Sequence, residues 1–354
     1  MLNYRDGLAS MPCYDTSEQD WHIKVNANES NIGLPPLVEE RVMTRLSRIA
    51  FARYPNEEYD LLCEQIGVAY GYRQENVIIG NGSSEIIEKV FYAFGGDDTH
   101  KIVYPMPSFS MYGIYAAAAN SAGVPVPLKD GYTLDADMFI QTVNQNSASL
   151  AVICNPNNPT GQLMTTAEIE YIAKEISCAF LIDEAYAEFS EHSVFQLLKK
   201  YPHMMIARTF SKAYALASCR VGYMLAHRDV IDMIAKTYMP YHMNVPSLVT
   251  ADTVFQMRSE FEPQIRMICE ERERMQEKYK ELDAVTVYPS RTNFILIHYP
   301  HVEALNKEFI KYGIGVRSFG KTPRLENTLR ISIGRTDEND AVYRVMKAFV
   351  EGNP

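Results

Sequence analysis

Met204-Met205-Ile206-Ala207-Arg208-Thr209-Phe210-Ser211-Lys212-Ala213 is an apolar run that empties into a turn carrying a lysine. An apolar run of this length bounded by turn residues reads as a strand buried on both faces. A lysine after such a strand is ordinarily a solvated charge. Two other runs of the same kind change that reading. Phe180-Leu181-Ile182 ends in Asp183 and continues into Glu184-Ala185-Tyr186, and Leu150-Ala151-Val152-Ile153-Cys154 enters Asn155-Pro156-Asn157-Asn158-Pro159-Thr160-Gly161. Arg220 follows the lysine closely. An amine, a carboxylate, a phenol, an amide and a guanidinium thus each stand just past the end of an apolar run.

Working outward, apolar runs at 77–80, 101–104, 124–126, 150–154, 179–183, 204–208 and 221–225 alternate with helical stretches at about 83–94, 108–119, 135–145, 165–176 and 194–200. That rhythm predicts an α/β layered unit around a mainly parallel sheet. Ahead of it, residues 1–30 read as an extended arm containing Tyr14, Trp21 and the alternating run His22-Ile23-Lys24-Val25. Helices are expected over Pro36–Phe51 and Glu58–Tyr70. Past Asn244 a long helical region, 246–282, leads into strands near 285–287, 293–297, 315–317 and 329–333, with helices at 302–312 and 337–350. The division expected is an arm (1–30), a large α/β unit (31–244) and a smaller α+β unit (245–354).

The composition fits a globular enzyme: 354 residues, 47 % apolar and 22 % charged, enough for a large core. A net charge of −10 argues against a nucleic-acid partner. No apolar stretch reaches the roughly 18 residues a membrane span needs. The start lacks a signal peptide's apolar core, and the scattered cysteines form no metal or redox pair. The expected setting is cytoplasmic, with reduced thiols. His298 and His301 lack a neighbouring acidic or thiol ligand and read as surface residues.

In an open α/β sheet, ligands bind beyond the carboxyl ends of the strands. There the residues suit pyridoxal phosphate: Lys212 for covalent attachment and Asp183 for the pyridine nitrogen. Asn158 and Tyr186 are candidate donors to the ring's phenolate oxygen, and Phe109 is a candidate to stack on the ring. Asn81-Gly82-Ser83-Ser84-Glu85 opens a helix whose free amides and hydroxyls suit a phosphate; Ser211 and Arg220 complete that cup. Gly80-x-Gly82 has Glu85 where a dinucleotide fingerprint needs Gly or Ala. Arg330 offers a fork for a carboxylate, and Arg317 a second anion site. Singly, each of these residues also reads as a turn, cap, packing or surface residue.

Together, Asn155–Gly161, Asp183-x-x-Tyr186, Ser211-Lys212-Ala213, Arg220-x-Gly222 and Leu329-Arg330-Ile331 resemble the class I/II aminotransferases of PLP fold type I. Asn26-Ala27-Asn28-Glu29, Arg53-Tyr54-Pro55, Asn81–Glu85 and the Arg317/Arg330 pair resemble, within that class, the histidinol-phosphate aminotransferases. The resemblance implies a homodimeric, pyridoxal-phosphate-dependent enzyme acting on a small amino donor and a 2-oxo acid. Lys212 would carry the cofactor and shuttle the proton, with Asp183 and Tyr186 beside it. Tyr54 would reach the cofactor phosphate of the second subunit. Tyr14 and Arg317 would lie near a substrate phosphate, Arg330 would take the substrate carboxylate or its equivalent, and Asn158 would also contact the substrate. Ser30, Phe109 and Asn56-Glu57 depart from the family pattern. The alternatives are an aminotransferase for aromatic or other amino acids, a lyase resembling threonine-phosphate decarboxylase, and a non-catalytic ligand-binding domain. The last lacks a basic DNA-binding segment to serve.

Overall fold

The structure, a computed structural model, describes residues 19–352. Strand β1 (Ile23–Lys24) opens the described chain. Helix α1 (Pro36–Leu46) starts on a proline whose missing N–H would be unpaired at a helix start in any case. It stops at Leu46, short of the expected Phe51, because the chain turns repeatedly over 47–53 before Pro55. Helix α2 (Glu58–Tyr70) spans the expected residues and ends on Gly71 at φ +73°, the left-handed cap that glycine adopts without strain.

Then come β2 (Val77–Gly80), α3 (Gly82–Phe94), β3 (Ile102–Met106), α4 (Met111–Ala118), β4 (Gly123–Pro127), α5 (Ala136–Gln145), β5 (Leu150–Cys154), α6 (Thr166–Glu175), β6 (Ala179–Asp183), β7 (Met204–Thr209) and β8 (Gly222–Ala226). Asp135 caps α5 by accepting from the Met138 amide, and Thr165 and Glu168 form a reciprocal capping box at α6. The segment 194–200, expected as an α-helix, is a 3₁₀ turn over Phe195–Lys199. Its start is held by Glu184, which accepts the Val194 amide at 2.9 Å.

These strands form one seven-stranded sheet in the order β2-β8-β7-β6-β5-β3-β4, parallel except for β8, which is antiparallel to both neighbours. The absence of a two-residue period has a direct cause. Phe180 and Ile182 of β6 enter one hydrophobic core while Leu181 enters the other, on the opposite sheet face. Both faces are covered by helices.

Helix α7 (Arg228–Ala235) was not expected from the sequence, and the long helical region beyond it is broken. Helix α8 (Val245–Gln256) packs against α1 and α2; a 3₁₀ turn at Arg258–Phe261 follows, then α9 (Glu262–Lys280) with Pro263 in its first turn. The remaining elements are β9 (Thr286–Val287), β10 (Phe294–His298), α10 (Val302–Lys311), β11 (Ile314–Gly315), β12 (Arg317–Ser318), β13 (Thr328–Ser332) and α11 (Thr336–Gly352). The order β12-β13-β10-β9 makes an antiparallel four-stranded sheet. The run expected near 315–317 is divided: β11 pairs in parallel with β1 as a separate two-stranded sheet, and the Ser332 amide, donating to the Val25 carbonyl at 2.9 Å, ties this segment to the four-stranded one.

Candidate active site

The carboxyl ends of β3, β5, β6 and β7 and the N-terminus of α3 open onto one cavity of about 700 Å³, closed on its far side by residues of β12, β13 and the loop between them. Asp183, the last residue of β6, is buried. Its Oδ2 accepts from the Tyr112 hydroxyl at 3.0 Å and its Oδ1 from the Ala185 amide at 3.2 Å. Burial raises its carboxyl to about 6, against the pull of those two hydrogen bonds. The next residue, Glu184, is fixed by Arg208, whose Nε and Nη2 both donate to its Oε2 at 3.0 and 2.8 Å. Arg208 also binds Glu188 at 3.0 Å. This buried charge cluster locks the turn that aims Asp183 and Tyr186. The Tyr186 hydroxyl accepts from Asn28 Nδ2 at 3.0 Å, and burial pushes the phenol well up.

Lys212 lies in the turn after β7, and its Nζ donates to the Ala27 carbonyl at 3.0 Å. Burial lowers its amine to about 8, with Arg330 and Arg220 pushing the same way and Glu29 opposing. Asn158 stands across the cavity, its Oδ1 accepting from Arg330 Nη1 at 2.7 Å. Arg330 Nη2 donates to the Asn26 carbonyl at 2.7 Å. These two bonds fix the plane of the guanidinium. Arg317 is the cross-strand partner of Arg330 in the β12–β13 pair, and both line the cavity. Phe109 also lines it, edge-on to Tyr112 with ring centroids 5.5 Å apart.

At the other end of the cavity Ser83 and Ser84 start α3, and Arg220 Nη1 donates to Ser211 Oγ at 3.3 Å. A Cβ on Gly222 would lie 2.3 Å from the Ser83 nitrogen. Only glycine lets β8 approach the α3 N-terminus this closely. Hydroxyls, a guanidinium and a helix N-terminus make a donor set with no acidic member, which fits a phosphate. With a half-buried amine and a buried carboxylate further in, the residues fit pyridoxal phosphate.

Of the residues expected from sequence, Ser83, Ser84, Phe109, Asn158, Asp183, Tyr186, Ser211, Lys212, Arg220, Arg317 and Arg330 all line this cavity. Tyr54 does not. It is 76 % exposed and stacks on Tyr241 at 4.7 Å, beside a separate hollow of about 420 Å³. Tyr14 lies outside the described residues. Sequence reasoning missed Tyr112, the donor to Asp183, because it sits on a helix like any core aromatic. It used Asn26-Ala27-Asn28 only as part of a resemblance, whereas this turn contacts Arg330, Lys212 and Tyr186. Among the described residues no cluster could hold a metal ion, and no helix is long and apolar enough to cross a membrane.

The family model for aminotransferase class I and II matches residues 12–344. The chain belongs to that family. A histidinol-phosphate aminotransferase of Ruminiclostridium cellulolyticum is 35 % identical over 351 residues, covering 98 % of this chain and 97 % of the relative. Among solved structures, histidinol-phosphate aminotransferase from Sinorhizobium meliloti in complex with pyridoxal-5'-phosphate superposes with a TM-score of 0.87 at 22 % identity, covering 95 % of this chain and 93 % of that one. L-Threonine-O-3-phosphate decarboxylase from Porphyromonas gingivalis reaches 0.81 at 21 % identity, covering 93 % and 99 %. The fold of this aminotransferase is PLP fold type I.

Proposed function

We propose that this aminotransferase uses pyridoxal phosphate to move the amino group of L-histidinol phosphate to 2-oxoglutarate, giving imidazole-acetol phosphate and L-glutamate. The observation that carries the reading is the pairing of Arg317 with Arg330 across β12 and β13 at the cavity that holds Lys212. Like charges directly opposite on adjacent strands repel. An anionic group on the substrate relieves that repulsion and is bound by it. The donor has a phosphate and no carboxylate, whereas the acceptor has two carboxylates; two guanidinium groups at one end serve both.

When bound, pyridoxal phosphate supplies an aldehyde that condenses with amines and a ring that accepts the electron pair left at the substrate's α-carbon. In this reading Lys212 would carry the cofactor and, once displaced, would take the proton from the substrate α-carbon as base and deliver it as acid to the former aldehyde carbon. A lysine held near 8 has a useful neutral fraction at physiological pH. Asp183 keeps the ring nitrogen protonated through a charge-assisted hydrogen bond, and Tyr112 orients that carboxylate. Asn158 and Tyr186 donate to the phenolate oxygen, and Phe109 packs on the ring. Ser83, Ser84, Ser211 and Arg220 hold the cofactor phosphate. Arg330 takes a carboxylate, and Arg317, with Tyr14, takes the substrate phosphate.

The second part of the proposal is a homodimer in which Tyr54 reaches the partner's phosphate cup. Support comes from the apolar surface around it: Phe51, Met239 and Tyr241 are 80 %, 78 % and 62 % exposed. Large exposed apolar patches mark association sites.

The test is a set of half-reactions followed by absorbance of the cofactor-loaded protein. Histidinol phosphate should convert the bound chromophore, and 2-oxoglutarate should restore it. Conversion by phenylalanine or aspartate but not by histidinol phosphate would overturn the substrate assignment. Release of CO₂ from O-phospho-L-threonine would move the chain to the lyases.

A further inference from the structure

Asn26-Ala27-Asn28 touches three functional side chains from three separate parts of the chain. The Asn26 carbonyl accepts from Arg330, the Ala27 carbonyl accepts from Lys212, and the Asn28 amide donates to Tyr186. The turn is itself fixed on the second sheet. The Ser332 amide donates to the Val25 carbonyl at 2.9 Å, the Asn28 amide N–H donates to Ser332 Oγ at 2.9 Å, and Asn293 Nδ2 donates to the Asn28 carbonyl at 3.1 Å. Asn28 is 1 % exposed, with φ +55°, a left-handed conformation in which Asn is favoured over most residues.

The amide of Asn28 has a defined direction. Ser332 Oγ accepts the Asn28 N–H, so its own proton is available to Asn28 Oδ1, 3.0 Å away. That leaves Nδ2 facing the Tyr186 oxygen. Nδ2 can only donate, so the phenol oxygen accepts there and its single proton must point elsewhere. Tyr186 lines the cavity, which is open to that proton.

We infer that Asn28 is a positioning residue that acts through Tyr186: by occupying an acceptor site of the phenol it forces the hydroxyl to donate into the cavity, toward the oxygen of the bound cofactor's ring. The inference rests on the pyridoxal-phosphate reading above. A donor to the ring's phenolate oxygen stabilises its negative charge and holds the pKa of the bound chromophore down. The charged and titratable groups acting on Tyr186 are Arg330, Cys154 and Asp183, and none of them is changed by altering Asn28.

The experiment is an absorbance titration of the cofactor-loaded wild-type protein, Asn28→Gly, Tyr186→Phe and the double variant. Glycine removes the amide without the strain that a Cβ meets at positive φ. Losing one neutral hydrogen bond to the ring should raise the chromophore pKa by roughly 0.5 to 1 pH unit in Asn28→Gly. In the Tyr186→Phe background the same substitution should add nothing, because a residue acting through Tyr186 has nothing left to act on. Asn28→Asp keeps the shape and tolerates the backbone, and serves if the glycine variant fails to fold. Its carboxylate only accepts, so it turns the phenol proton out of the cavity and should also raise the pKa. A wild-type pKa in Asn28→Asp, or equal shifts from Asn28→Gly with and without Tyr186, would mean that the role is structural and overturn the inference. A wild-type protein in which borohydride fixes no bound cofactor onto Lys212 would sink the underlying reading instead, and the inference with it.

Discussion

Replacing Asp183 with Asn should push the protein in opposite directions with and without its cofactor. In the cofactor-free protein the carboxyl is buried, and its pKa of about 6 stands against an ordinary 3.8. A carboxyl whose folded value lies above its unfolded value costs stability once ionised. The cost is fully present above about pH 6, fades as pH falls, and is gone below the ordinary value. At 1.36 kcal/mol per tenfold, it is on the order of 3 kcal/mol. With an unfolding entropy of about 2.1 cal/mol/K per residue, the 354-residue chain converts this to roughly 4 °C in Tm. Asn keeps one oxygen for the Ala185 amide and turns its NH₂ to the Tyr112 oxygen, so both existing partners stay satisfied. Asp183→Asn without cofactor should therefore melt several degrees above wild type at pH 8, and the difference should shrink at pH 4.5. With cofactor the sign reverses. A lost charge-assisted hydrogen bond to the ring nitrogen is worth about 1.5–3 kcal/mol, which weakens cofactor binding about 10- to 150-fold. Circular-dichroism melts at the two pH values and an absorbance titration with pyridoxal phosphate measure both arms. A variant that melts below wild type at pH 8 without cofactor, or a difference independent of pH, would refute the reasoning.

The amine of Lys212 should titrate near pH 8 in the cofactor-free protein. Competitive acetylation with peptide mapping should show its labelling rise through that pH, while Lys200, held as an ammonium by Glu170, reacts only at higher pH. Arg330→Leu should move the Lys212 midpoint upward, since that guanidinium disfavours the ammonium, yet leave it below an ordinary lysine because burial is the larger cause. Arg208→Met leaves Glu184 and Glu188 buried without their cation and should cost about 3–5 kcal/mol of stability, read from denaturant unfolding. Gly222→Ala must displace the start of α3, since its Cβ falls 2.3 Å from the Ser83 nitrogen. Cofactor affinity should drop at least about tenfold, the loss of one charged hydrogen bond.

The sequence by itself determined the layered fold and most of the residues that line the cavity. Strands such as Phe180-Leu181-Ile182 are apolar on both faces, which only a sheet covered twice by helices accommodates, and ligand chemistry then follows at their carboxyl ends. Asp183, Lys212 and Asn158 were legible because each stands directly after such a strand or in the turn beyond it. Breaks in regular structure were not legible. The 3₁₀ turn at Phe195, for one, is held by a distant partner, Glu184, which local propensity does not record. Tertiary structure alone decided how residues hundreds of positions apart act on one another. Asn28 reaches Tyr186, and Arg317 comes to lie opposite Arg330, because β1 joins β11 while β12 and β13 fix a register. Register and hydrogen-bond direction are properties of two segments at once, and no single stretch of chain carries them.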